Sequence, residues 1–176
     1  MTRSGALDHS FCQHVIQKFN LDTNVTDDRT FGGVKQEVQK RKSLGISMMD
    51  EWKEEDRVFH ESLNTVLQDY VMLGSTGIYK DLGYKIARQG SDGYYHWHHD
   101  AHWEEDWCRV LSFLWYLNTL KDGYTEFFEG TKVYPEAGKI ILFPASNIFL
   151  HRSTKTETEK FICTGWLYEK SYKMKI

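Results

Sequence analysis

Tyr94-Tyr95-His96-Trp97-His98-His99-Asp100-Ala101-His102 holds four of the chain's eight histidines. Gly90 and Gly93 precede it, and the acidic run Glu104-Glu105-Asp106 follows. Aromatic and imidazole residues in alternation, bounded by glycines, predict a β-strand rather than a helix. Side chains two apart on a strand share a face, so His98 and Asp100 are expected to point the same way. An imidazole and a carboxylate held side by side make two thirds of a facial metal triad. The third ligand must then come from a distant strand, and His151 is the only histidine after this cluster. Two histidines and one carboxylate with open positions suit oxygen-activating non-haem Fe(II). His96, His98 and His102 share strand parity, however, and with a carboxylate they would equally make a zinc site. Spacing alone leaves iron and zinc both open.

Composition narrows the class. The 176 residues suffice for one domain with a substantial core. A content of 40% apolar and 15% aromatic residues argues against disorder. The net charge is −3, and the basic cluster Lys35, Lys40, Arg41 and Lys42 is interleaved with Gln and Glu. A phosphate-reading face needs concentrated positive charge, so no nucleic-acid partner is expected. Cys12, Cys108 and Cys163 are scattered and odd in number, which argues against a zinc knuckle or a disulfide framework. No apolar run reaches membrane-spanning length, and the N-terminus lacks the apolar core of a signal peptide. A cytoplasmic monomer without membrane contact is the expectation.

Along the chain, Asp8 can cap a first helix whose Phe11, Val15, Ile16 and Phe19 fall on one face. Residues 21–34, with Gly32-Gly33, read as a loop, and 35–49 fit helix or extended chain. Asp50 can cap a longer helix with a stripe of Trp52, Phe59, Leu63, Val66, Leu67, Tyr70 and Val71, ended by Gly74. From Gly83 the pattern changes to short strands, predicted near 84–88, 93–99, 108–118, 124–128, 131–134, 139–143, 147–152 and 160–169. Helices followed by about eight short strands predict an antiparallel double sheet braced by helices. One domain over 1–176 is expected, with 1–78 mainly helical support and 79–170 the catalytic core.

The order of the later motifs decides between metals. Arg109 to Asn118 is a long strand, followed by Asp122-Gly123-Tyr124-Thr125-Glu126-Phe127, then Gly138 to Pro144, then His151. Lys160 stands nine residues after that histidine, with Ile162, Thr164 and Trp166 at even spacing. Taken in order, Tyr95-x-x-His98-x-Asp100, Tyr116-Leu117-Asn118, Gly123-x-Thr125-x-Phe127, Gly138 to Phe143-Pro144, His151, Lys160 and Trp166 resemble the 2-oxoglutarate- and Fe(II)-dependent dioxygenases in their prolyl 4-hydroxylase-like branch. The resemblance covers roughly residues 80–168.

It implies a mainly-β α+β fold, a double-stranded β-helix (jelly-roll) with N-terminal supporting helices. It also implies that His98, Asp100 and His151 hold Fe(II), and that Lys160 binds the distal carboxylate of 2-oxoglutarate with Tyr116 donating to the same group. Thr164 and Trp166 would line that pocket, and Arg109, Tyr95 and Trp97 are candidate substrate contacts. A buried dicarboxylate needs a compensating cation, which agrees with Lys160. The implied reaction consumes O2, with ascorbate as an accessory reductant. It hydroxylates a C–H bond, foremost of a prolyl residue in a peptide or protein, and releases succinate and CO2. A free amino acid or other small substrate is the alternative within this chemistry, and a non-catalytic cupin-like module the alternative outside it. Three positions depart from the family pattern: Asp122 replaces a paired glycine, Ser153 an apolar residue, and Arg88 a tyrosine. They leave the triad untouched and bear on substrate identity.

Overall fold

The computed structural model describes residues 1–27, 41–47, 49–70, 79–91, 93–104 and 106–170. Its first half runs β1 (Thr2–Arg3), α1 (His9–Leu21), β2 (Thr26–Asp27), β3 (Arg41–Gly45), a 3-10 turn (Asp50–Trp52) and α2 (Lys53–Leu67). The second half is all strands: β4 (Tyr79–Asp81), β5 (Lys85–Gln89), β6 (Tyr95–His98), β7 (Trp103–Glu104) and β8 (Trp107–Tyr116) come first. β9 (Thr125–Phe127), β10 (Lys132–Val133), β11 (Ile140–Pro144), β12 (His151–Ser153) and β13 (Lys160–Lys170) complete it. The strands form two antiparallel sheets. The larger has the order β1-β11-β8-β13-β5-β3-β2, with β4 on β13 and β7 on β8; the smaller has the order β10-β9-β12-β6. Together they make a double-stranded β-helix.

Strand parity explains how one chain fills two cores. In β8, Leu111, Phe113 and Trp115 pack in the core beneath the helices, whereas Leu114 and Tyr116 belong to a second cluster. β11 divides the same way, with Ile140 and Leu142 on the helical side and Ile141 and Phe143 on the other. That second cluster takes Phe127 from the small sheet, so it is the filling between the sheets. Successive residues of a strand point to opposite faces, so a strand buried on both sides reads as a continuous apolar run. Val110 to Tyr116 is such a run, broken only by Ser112.

The helices close the back of the large sheet. Cys12, Val15 and Phe19 of α1 and Phe59, Leu63 and Val66 of α2 are buried against it. The Phe59 ring lies 5.2 Å from Trp115, and Trp115 Nε1 donates to Ser62 Oγ at 3.1 Å. Among the described residues, no helix is long and apolar enough to cross a membrane.

Several expectations shift on inspection. Asp8 occupies the N-cap of α1 but makes no side-chain cap bond there. Asp50 opens a 3-10 turn instead of capping α2, whose N-cap is Trp52. All eight predicted strands are present with moved ends. The largest change is at 147–150, where Phe149 N bonds Ser146 O in a turn and the strand starts only at His151. The N-terminal half supplies β1, β2 and β3 to the large sheet in addition to its helices. Of the ambiguous 35–49 segment, 41–45 is strand. Gly32, Gly33, Lys35, Lys40, Val71, Gly74 and Glu105 lie outside the described residues.

Candidate metal centre

β6 and β12 are neighbours in the small sheet, and their register places His151 directly opposite His98. Their rings lie 4.1 Å apart, centroid to centroid. Asp100 follows two residues after the end of β6. Its Oδ1 is 3.7 Å from His98 Nε2 and its Oδ2 is 3.8 Å from His151 Nε2. One ligand atom from each residue falls within 4.8 Å of the others. Among the described residues this is the only such group, so the zinc arrangement through His96 and His102 does not assemble.

The bonds on the far side of each ring decide what the near side can do. His98 Nδ1 donates to His96 O at 2.7 Å, and His151 Nδ1 donates to Phe149 O at 3.1 Å. A neutral imidazole that gives its Nδ1 proton to a carbonyl keeps a lone pair on Nε2. Both Nε2 atoms therefore face Asp100. The carboxylate is held in turn by Ser112 Oγ, which donates to Oδ2 at 2.7 Å from β8 of the other sheet. Burial pushes the Asp100 pKa up, but His151, His98, Ser112 and Trp166 outweigh it and hold the group below its usual value. The set is thus an ionised carboxylate with two imidazole Nε2 atoms, on one side of a shared point. Such a set fits a divalent cation with open coordination positions. Phe127 and Phe143 wall His151, with centroids 5.9 and 4.7 Å away.

Strict alternation does not survive in β6. The β6–β12 register shifts between His151 and Ser153. Tyr95 and His98 both turn inward, 4.2 Å apart, whereas His96 and Trp97 are exposed. An irregular pair that sets two residues against one breaks the period of two. That is why His96 does not share the face of His98 as expected. Trp97 instead stacks against Phe128 on the outer face, beneath the Arg152 guanidinium, and is not brought to the metal group.

The remaining predicted residues sit on β8 and β13. Lys160 is 2% exposed, and its Nζ donates to Gly123 O at 2.7 Å and to Ser153 Oγ. Gly123 has φ +63°, and a Cβ there would meet Thr156 at 3.0 Å and Lys160 Cδ at 3.6 Å. Only glycine lets the turn carbonyl approach the ammonium without strain. The Tyr116 hydroxyl shares its proton between Thr125 Oγ1 at 2.6 Å and Val133 O at 3.1 Å; burial raises its pKa and keeps it a neutral donor. Thr164 Oγ1 donates to Phe113 O at 2.9 Å. Trp166 Nε1 is buried with no hydrogen-bond partner, on the same indole that influences Asp100. Arg109 stacks over that indole at 3.8 Å and donates from Nε to Tyr168 Oη at 2.9 Å. A cavity of about 260 Å³ adjoins it, lined by Gly45, Ser47, Leu82, Lys85, Thr164 and Trp166 among others.

Three residues of this region were not anticipated: Ser112 under Asp100, and Gln89 and Ser153 beside Lys160. Ser112 carries a visible signal, as the lone hydroxyl in an apolar run with the inward parity of Leu114 and Tyr116. Gln89 carries none, since its approach to Lys160 depends on cross-strand register.

Comparison with known proteins agrees with this geometry. Residues 84–168 match the model of the 2OG-Fe(II) oxygenase superfamily. No curated protein matches the chain. Among solved structures, a viral collagen prolyl hydroxylase from Paramecium bursaria Chlorella virus-1 in complex with 2OG is similar. It aligns at TM-score 0.73 and 18% identity, over 96% of this chain and 94% of its own. A Trichoplax adhaerens prolyl hydroxylase in complex with a hypoxia-inducible-factor peptide aligns at TM-score 0.79 and 14% identity, over 97% and 83%. A Pseudomonas putida prolyl-4-hydroxylase aligns at TM-score 0.69 and 16% identity, over 94% and 90%.

Proposed function

Residues 84–168 carry the oxygenase domain of the 2OG-Fe(II) oxygenase superfamily, and from that premise we propose that this chain, acting as one domain, hydroxylates a prolyl residue of a peptide or protein. The observation that carries the reading is the convergence of His98 Nε2, Asp100 and His151 Nε2 on one point with their tautomers fixed from behind. Iron held there supplies the oxygen chemistry, with 2-oxoglutarate as the two-electron reductant that leaves as succinate and CO2.

The chain's own part is positional. His98 and His151 present Nε2 to the ion, and Asp100 brings one negative charge that Ser112 keeps aimed. Lys160 offers a buried cation for the distal carboxylate of 2-oxoglutarate, where an isolated charge of either sign would be costly. Tyr116 is a neutral donor that can turn from Thr125 or Val133 towards the same group. Phe127 and Phe143 keep water from the His151 side. Arg109 stiffens the Trp166 indole by stacking over it. Tyr95 lies against His98, where it can meet a substrate near the metal group.

The proline assignment is supported by the prolyl hydroxylases of similar fold, one of them peptide-bound. The test is succinate formation from 2-oxoglutarate with Fe(II), ascorbate and air, with and without proline-rich peptides. Turnover accelerated by peptide and dependent on its prolines is the expected outcome. Turnover indifferent to every peptide would discard the substrate while keeping the chemistry. No succinate from protein with both iron and 2-oxoglutarate bound would overturn the reading.

A further inference from the structure

The ammonium of Lys160 sits in a directed chain of hydrogen bonds. Gln89 Nε2 donates to Gly93 O at 2.7 Å and to Thr154 O at 3.0 Å, which fixes the orientation of its amide and turns Oε1 towards Ser153. Ser153 Oγ gives its single proton to that Oε1 at 2.7 Å. Its lone pairs are thereby left for Lys160 Nζ. The Gln89 and Ser153 donors are all accounted for, so the direction runs from lysine through serine to glutamine. Gln89 is 4% exposed and Lys160 2%, and buried chains of this kind reinforce one another.

We infer that Ser153 and Gln89 are positioning residues for 2-oxoglutarate: they aim the Lys160 ammonium at its distal carboxylate. The inference rests on the reading of Lys160 given above. Lysine carries a point charge on a flexible four-carbon stem, without the planar fork that gives arginine its geometry. A lysine anchor therefore needs outside restraint to hold a direction. Gly123 O and Ser153 Oγ provide it, and both are neutral acceptors, which orient the cation without cancelling its charge. Register reinforces the arrangement, since Gln89 pairs with Lys160 across β5 and β13. Ser153 stands two residues beyond His151 on β12, and Gly93 two residues before β6. The same chain of bonds thus ties the co-substrate anchor to both strands that carry histidine ligands. It also gives a purpose to the serine at a position the family commonly fills with an apolar residue.

The test is anaerobic calorimetric titration of the Fe(II)-loaded protein with 2-oxoglutarate and with 2-oxobutyrate. The second acid has the same chelating end but no distal carboxylate. Ser153→Ala and Gln89→Met should each weaken 2-oxoglutarate binding about tenfold, the scale of one hydrogen bond to a charged group. Binding of 2-oxobutyrate should not change, Ser153→Thr should restore the wild-type Kd for 2-oxoglutarate, and Lys160→Ala should mark the full loss. An unchanged Kd for 2-oxoglutarate in Ser153→Ala, or equal weakening of both acids, would overturn the inference and leave Lys160 as the anchor. Preference for 2-oxoglutarate persisting in Lys160→Ala would instead show that the assignment of Lys160 itself is wrong.

Discussion

Among the described residues His151 Nε2 is one of two imidazole nitrogens facing Asp100, so its loss leaves a ligand pair too few for a facial set. His151→Ala should abolish Fe(II) retention in anaerobic titration together with succinate formation; decarboxylation surviving in that variant would sink the triad assignment. Ser112 acts at one remove, by aiming Asp100. Ser112→Ala should lower Fe(II) affinity by roughly 10–100-fold, the usual effect of losing a partner that orients a metal ligand. An unchanged Kd for Fe(II) would mean that burial and the two imidazoles suffice to place the carboxylate. At this scale the triad was legible because its members are rare residue types at a readable spacing. The bonds around Lys160 were not, since Ser153 and Gln89 are ordinary residues until β5, β12 and β13 are laid side by side. Trp97 shows the converse: an irregular pairing that the sequence does not reveal sets it on the outer face of β6.

Between elements, a buried polar contact outside the site joins the helices. Glu55 of α2 has a side chain 5% exposed, accepting from Lys18 Nζ at 2.7 Å and bonded to His14 Nε2 at 2.6 Å, both from α1. Burial pushes the Glu55 pKa up, yet Lys18 and His14 outweigh it and the group lies below its ordinary value. A depressed carboxylate contributes stability that is present above its unfolded pKa of about 4.3 and is lost as pH falls through the folded value. Glu55→Gln should therefore cost about 1 kcal/mol at pH 7, discounted for the solvent reaching Lys18 and His14. It should also flatten the fall in stability below pH ~4, as read from urea midpoints; parallel pH profiles for variant and wild type would refute this. The helices and the long strands β8 and β13 were legible because their apolar residues repeat over ten or more positions. β1 and β2 were not. Two residues carry no period, and Thr2–Arg3 becomes a strand only because β11 offers Ile140 and Ile141 to pair with.

For the whole molecule, the metal group is a junction between two sheets of unequal build. Asp100 is held by Ser112 of the large sheet, whereas His98 and His151 belong to the small one. The large sheet is anchored by strands of ten and eleven residues and backed by helices; the small one has strands of two to four residues. Short pairings expose much of their backbone bonding to competition from water and are the first parts of a fold to open. Amide hydrogen exchange should then divide the protein in two. Without metal, β6, β9 and β12 should exchange far faster than β8 and β13. Filling the site with a divalent ion should slow the first group alone, by up to the free energy of binding. Uniform slowing over both sheets would show instead that they open together. A divided result would make the ion a clasp as well as a reagent: the half of the barrel that grips the metal is the half that needs it to stay shut, so metal loss would loosen the active site long before the protein unfolds.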